Sequence, residues 1–121
     1  MAVLKPLDTL KTQRECALKL LEEASEACEA MKRHEKVCAL MTDEPLVAAR
    51  VSIEADSIRT SALRELADVL QVVANCLWAL RATQREVDGA ISHVQGSNHE
   101  RGRREVEGAK ALSLSVDWGA R

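Results

Sequence analysis

Hydrophobic positions along this chain recur at the three- and four-residue steps of an α-helix rather than at the alternating steps of a strand. Leu10, Ala17, Leu21, Ala24, Cys28 and Met31 form one such stripe, and with Pro6 and Asp8 ahead of it the pattern predicts a first helix over 8–34. The stretch Met41-Thr42-Asp43-Glu44-Pro45 reads as a turn into a second helix, with Thr42 or Asp43 as N-cap and Pro45 in the first turn. That helix is expected over 45–56, carrying Leu46, Ala49, Val51 and Ile53, and the stretch 57–61, with serine at both ends, reads as a break or bend. Beyond it Leu63, Leu66, Leu70, Val73, Leu77 and Leu80 keep an unbroken alternation of three- and four-residue steps, the most regular pattern in the chain, and predict a third helix. Thr83-Gln84-Arg85-Glu86 matches a capping box, in which hydroxyl and carboxylate each satisfy a free backbone N–H. A fourth helix with Val87, Ala90, Ile91 and Val94 should follow it and end between Gly96 and Gly102.

Four helices on short connections predict an all-α fold, a four-helix bundle of antiparallel neighbours. The third helix also carries Val69, Val72 and Cys76 outside its main stripe, more apolar surface than a lone bundle covers. A homodimer or homotetramer is therefore expected. The domain should occupy residues 1–104. Residues 105–121 are weakly periodic and read as a tail, either disordered or folded over a partner or a ligand.

Composition agrees with this class. A chain of 121 residues supports one domain, and 46% hydrophobic with 30% charged residues is the balance of a globular protein. Phe and Tyr are absent and only Trp78 and Trp118 are aromatic, so the core lacks aromatic bulk. The net charge of -2 is spread along the chain, which argues against a nucleic-acid backbone as partner. Stacking on single strands is disfavoured by the lack of aromatic faces. The four cysteines form no C-x-x-C pair, and free thiols in a reducing compartment are expected. With no leader-like segment and no apolar run of membrane length, the expected location is cytoplasmic, with no membrane partner.

The acidic residues narrow the chemistry. At about 100° per residue, Glu65 and Asp68 share the side of the third helix that carries Val69, Val72 and Cys76. A carboxylate on an apolar face neutralises, pairs with a cation or binds metal. The first helix adds Glu22, Glu23, Glu26 and Glu29, close enough to repel one another. Salt bridges to a neighbouring Arg or to Lys19, or a solvated acidic face, would explain either cluster alone. Together, on two helices of a small bundle, they fit an all-oxygen site for Mg2+, with Mn2+ possible, rather than zinc. No His stands three residues after an acid, so the di-iron pattern is absent. A Mg2+ ion held by carboxylates shares its shell with substrate phosphates, which points to phosphoryl or nucleotidyl chemistry. Lys19, Glu54 and Asp56 read as surface charges, His34, His93 and His99 show no ligand spacing, and Trp78 reads as a core or interface residue.

Leu21-Glu22-Glu23-Ala24-Ser25-Glu26 followed by Glu65-Leu66-Ala67-Asp68-Val69-Leu70 resembles the E-E-x-x-E and E-x-x-D motifs of the MazG-like, all-alpha nucleoside triphosphate pyrophosphohydrolases. Asn98-His99-Glu100-Arg101-Gly102-Arg103 resembles the N-x-x-R-G segment after the last helix of many members. The gap between Glu26 and Glu65 is longer than the compact family motif has. The resemblance implies hydrolysis of a nucleoside triphosphate between its α and β phosphates, to monophosphate and pyrophosphate, in clearance of unwanted nucleotides. It implies Mg2+ ligation by Glu22, Glu23, Glu26, Glu65 and Asp68, and a catalytic role for Glu23 or Glu26 in orienting and deprotonating the attacking water. Asn98, Arg101 and Arg103 would contact triphosphate oxygens. Phosphoribosyl-ATP pyrophosphohydrolase is a related alternative, and a non-enzymatic helical interaction module is the alternative of a different class.

Overall fold

The computed structural model describes residues 2–8 and 12–119. Among them the chain is all-helical, with three helices and no strand: α1 (Gln13–Cys38), α2 (Pro45–Ala79) and α3 (Gln84–Glu100). It divides into two compact units, Met1–Ala79 and Leu80–Arg121. No helix among the described residues is long and apolar enough to cross a membrane.

The expected second and third helices are one. Between Pro45 and Gly89 the sequence has neither glycine nor proline, so nothing forces the backbone out of helical conformation. The serine-containing stretch is absorbed by back-bonding to the preceding turn: Thr60 Oγ1 donates to the Asp56 carbonyl (3.1 Å) and Ser61 Oγ to the Ser57 carbonyl (3.4 Å). Hydroxyl residues that read as a break thus sit inside a helix of 35 residues.

Helix starts also differ from expectation. Thr12 caps α1, its hydroxyl accepting from Glu15 N at 3.1 Å, whereas Asp8 lies in a turn ahead of it. Residues 9–11, where the sequence pattern begins the helix with Leu10 on its stripe, lie outside the described residues. Neither Thr42 nor Asp43 caps α2. The Glu44 carboxylate does so, accepting from Leu46 N (3.2 Å) and Val47 N (2.7 Å) directly before Pro45. Glutamate is not among the favoured N-caps, which is why the sequence pattern passes over it.

In the first unit α1 and α2 pack along a seam. Its α1 side is Cys16, Leu20, Glu23, Ala27, Ala30, His34 and Val37, and its α2 side is Val51, Ala55, Ile58, Ala62, Glu65, Val69, Val72 and Cys76, all buried or half-buried. Both sides advance by alternating steps of three and four residues, the repeat of an antiparallel coiled-coil seam. Ala27, Ala30 and Ala62 are small enough to let the helices approach closely. This seam is not the stripe that hydrophobicity alone selects. Leu21, Met31, Leu63, Leu66 and Leu70 are exposed, Leu21 to 69% and Leu63 to 50%. On α1 the richer stripe lies one residue, about 100°, away from a seam made of small and charged residues. Ahead of α1, Leu7 N donates to Asn75 Oδ1 (2.8 Å) and Gln71 Nε2 to the Lys5 carbonyl (2.7 Å), tying the N-terminal segment to α2.

In the second unit the expected capping box opens α3. Thr83 Oγ1 accepts from Glu86 N (3.2 Å), and Thr83 N donates to Glu86 Oε1 (3.0 Å). The tail is held against this helix start: Gln84 Nε2 donates to the Leu114 carbonyl (3.1 Å), Val116 N to Gln84 Oε1, and Trp118 Nε1 to the Ala82 carbonyl (2.8 Å). All four cysteines are free thiols, with Cys16 buried in the seam.

Candidate metal centre

Three seam positions, Glu23, His34 and Glu65, break the apolar pattern, and the two acids belong to the two predicted acidic motifs. Glu23 on α1 and Glu65 on α2 meet, and Glu26, one turn beyond Glu23, joins them. Each contributes one carboxylate oxygen to a group whose members all lie within 4.8 Å of one another. Glu23 is 8% exposed. Its Oε1 accepts from Lys19 Nζ at 3.0 Å, and the same ammonium reaches Glu22 Oε2 at 3.3 Å. These hydrogen bonds, to Glu23 first and then Glu22, raise the pKa of Lys19.

One ammonium shared by two carboxylates does not neutralise the group. Buried Oε2 atoms of Glu23 and Glu65 find no hydrogen-bond donor among the described residues, a costly state for a polar atom that water cannot reach. The excess charge registers on Glu26, whose carboxyl is raised above its ordinary pKa by the charge of Glu23, then by loss of surrounding water, then by its hydrogen bond to Glu23, with Glu65 and Glu22 adding to it. A divalent cation would resolve all three features. Hard oxygen donors suit Mg2+, Mn2+ or Ca2+.

The remaining predicted ligands lie outside this group. Glu22 is exposed and paired with Lys19, and Asp68, one turn after Glu65, is exposed. Glu29 pairs with Lys32 at 3.6 Å. Asn98, Arg101 and Arg103 belong to the second unit, at the end of α3. There Gly102 takes a left-handed φ of 73°, Gly102 N donates to the His99 carbonyl and Arg103 N to the Asn98 carbonyl, both at 3.0 Å. This is a Schellman ending, which needs a residue tolerant of positive φ. It turns Arg103 back so that Nη1 donates to Asn98 Oδ1 at 3.0 Å. The N-x-x-R-G wording is thus a helix stop, and the arginine it brings to Asn98 is Arg103, just after the motif's Gly102.

A cavity of about 440 Å3 opens beside the acids, lined by Ser25, Glu26, Glu29, Ala30, Arg33, Ser61 and Glu65. Arg33, Ser25 and Ser61 were not singled out by the sequence pattern. For Arg33 the signal was available: it stands seven residues after Glu26, two turns along the same face. Compared with family models, with curated proteins and with solved structures, the chain matches none.

Proposed function

We propose that this chain is a MazG-like, Mg2+-dependent nucleoside triphosphate pyrophosphohydrolase that clears unwanted nucleotides in the cytoplasm. The observation that carries this reading is the pair Glu23 and Glu65, opposed in a seam where apolar residues would pack better, each with a buried oxygen left without a donor. Conflict between local stability and sequence is expected where a site has to be built. The order and wording of the acidic motifs supply the reaction class.

In this reading Glu23, Glu26 and Glu65 hold the cation, and Glu22 and Asp68 complete its surroundings from the exposed side. When bound, Mg2+ polarises phosphoryl oxygens and makes a coordinated water more acidic. Glu23 or Glu26 orients the attacking water and takes its proton. The water oxygen bonds to the α phosphorus, the bond from that phosphorus to the α–β bridging oxygen breaks, and pyrophosphate leaves with the electron pair. Lys19 offsets part of the charge on Glu22 and Glu23 and keeps Glu23 turned into the seam. Contact of Asn98, Arg101 and Arg103 with triphosphate oxygens rests on the motif resemblance alone: these residues belong to the second unit, where Arg103 Nη1 donates to Asn98 Oδ1 and the Arg forks suit phosphate.

Assembly into a homodimer or homotetramer, which would complete a helical bundle, belongs to the same proposal. Exposed Leu21, Met31, Leu63, Leu66 and Leu70 support it, as does an apolar groove of about 600 Å3 whose lining includes Ala24, Cys28, Met31, Leu66 and Val69.

Pyrophosphate release from a panel of ribo- and deoxynucleoside triphosphates and phosphoribosyl-ATP tests the reading. Release is expected with Mg2+, and is expected to vanish with EDTA and in the Glu65→Ala/Asp68→Ala double variant. Absence of release from every compound, by a folded protein in Mg2+, would overturn it.

A further inference from the structure

The cavity beside the acids is a trough on the α1–α2 pair. Glu26, Glu29, Ala30 and Arg33 are spaced along one face of α1, and Ser61 and Glu65 along one face of α2. The carboxylates occupy one end, and Arg33 lies about 10 Å further along the helix axis from Glu26. Its volume of about 440 Å3 is within the range of small-molecule sites, about 300–1,000 Å3. Its lining contains no aromatic and no large apolar side chain, so a flat ring inside would be held by hydrogen bonds and by the guanidinium plane of Arg33.

Arg33 makes no ion pair among the described residues, Glu29 being turned to Lys32. A guanidinium only donates and a carboxylate only accepts. An anionic group at this end would meet the charge of Glu29 as well as that of Arg33. A neutral edge with an acceptor beside a donor satisfies both, and that is the chemistry of a nucleobase edge. A nucleotide with its phosphates against the acids carries its base one sugar further on, towards Arg33. We infer that the trough receives the nucleobase, and that Arg33 and Glu29 read its hydrogen-bonding edge and so set base preference. The inference rests on the triphosphate reading above.

The test is equilibrium binding to the full chain, in Mg2+, of the α,β-methylene analogues of the four common ribonucleoside triphosphates, with inorganic tripolyphosphate as the base-free probe. The wild-type chain is expected to separate the tightest and weakest analogue by at least about tenfold, a difference that a few hydrogen bonds supply. Arg33→Ala should collapse that spread to within about threefold and leave tripolyphosphate affinity unchanged. Glu29→Gln should alter the order of preference, because it replaces a pure acceptor by a group that also donates. Both positions are exposed, so the variants keep the fold. Equal loss for all four analogues and tripolyphosphate in Arg33→Ala would make Arg33 a phosphate contact and overturn base reading. So would wild-type binding without base discrimination, which leaves the triphosphate reading standing. Failure of the wild-type chain to bind any analogue or tripolyphosphate would overturn both.

Discussion

Glu26 shows what the acidic group does to a single residue. Its carboxyl holds a proton more tightly than an ordinary glutamate, first through the charge of Glu23. A carboxyl raised in the folded state favours folding while protonated. This contribution is therefore fully present below the unfolded value, near 4.5, and is lost as pH rises through the folded value above it. Without metal, the wild-type chain should lose stability relative to Glu26→Gln across that window, and Glu26→Gln should melt higher at neutral pH, as paired melting curves from pH 4 to 7 would show. A difference independent of pH would contradict the electrostatic account. The identity of the acids was legible in the sequence because carboxylates on helix faces stand out against the apolar pattern. Their grouping is less so: helical angle sets Asp68 on the apolar side with Glu65, yet it is exposed. A helical angle places a residue on a face, but only the position and length of the neighbouring element decide what covers it.

At the scale of the element, the two ends of the chain were not equally readable. The Thr83 capping box and the end of α3 are local chemistry, complete within a few residues, and both stand where the pattern put them. The seam was not readable by hydrophobicity, because its α1 side holds Glu23, Ala27 and Ala30 while the neighbouring stripe holds Leu21 and Met31. Close approach of two helices rewards small side chains, and a reading weighted by apolar bulk passes over them. Val72 is in the seam at 4% exposure, and Ile53, on the expected stripe of the second helix, is 74% exposed. Val72→Ala should therefore cost about 2 kcal/mol in urea unfolding, and Ile53→Ala should stay within about 0.5 kcal/mol of wild type. The reverse ranking would show that the wrong face had been taken for the core. The continuity of α2 belongs to the same scale: hydroxyl residues favour turns only when their side chains bond outside the helix, and Thr60 and Ser61 bond within it.

For the whole molecule, the regular stripe expected to fill a core is exposed in the single chain at Leu63, Leu66, Leu70 and Leu80 and half-buried at Val73 and Leu77. The all-α class followed from period and composition, whereas the number of helices and the burial of their faces depended on partners that periodicity does not describe. If a second copy covers this stripe, the Leu21→Lys/Leu66→Lys variant should sediment as a monomer with its helical circular dichroism kept, and the wild-type chain as a dimer or larger. A monomeric wild type at micromolar concentration would contradict the proposed assembly. The central claim is that the opposed glutamates exist to hold a divalent cation, and thermal unfolding with and without Mg2+ tests it most directly, using the wild-type chain and Glu65→Leu. A ligand that binds only the folded state stabilises it by about 2.7 kcal/mol at a hundred times its Kd, whereas filling the seam with Leu removes an unpartnered buried oxygen worth about 1–3 kcal/mol. The account predicts a wild-type Tm that rises saturably with Mg2+, and a Glu65→Leu Tm that starts higher and does not respond. A wild-type Tm indifferent to Mg2+, or an equal response in both proteins, would contradict it.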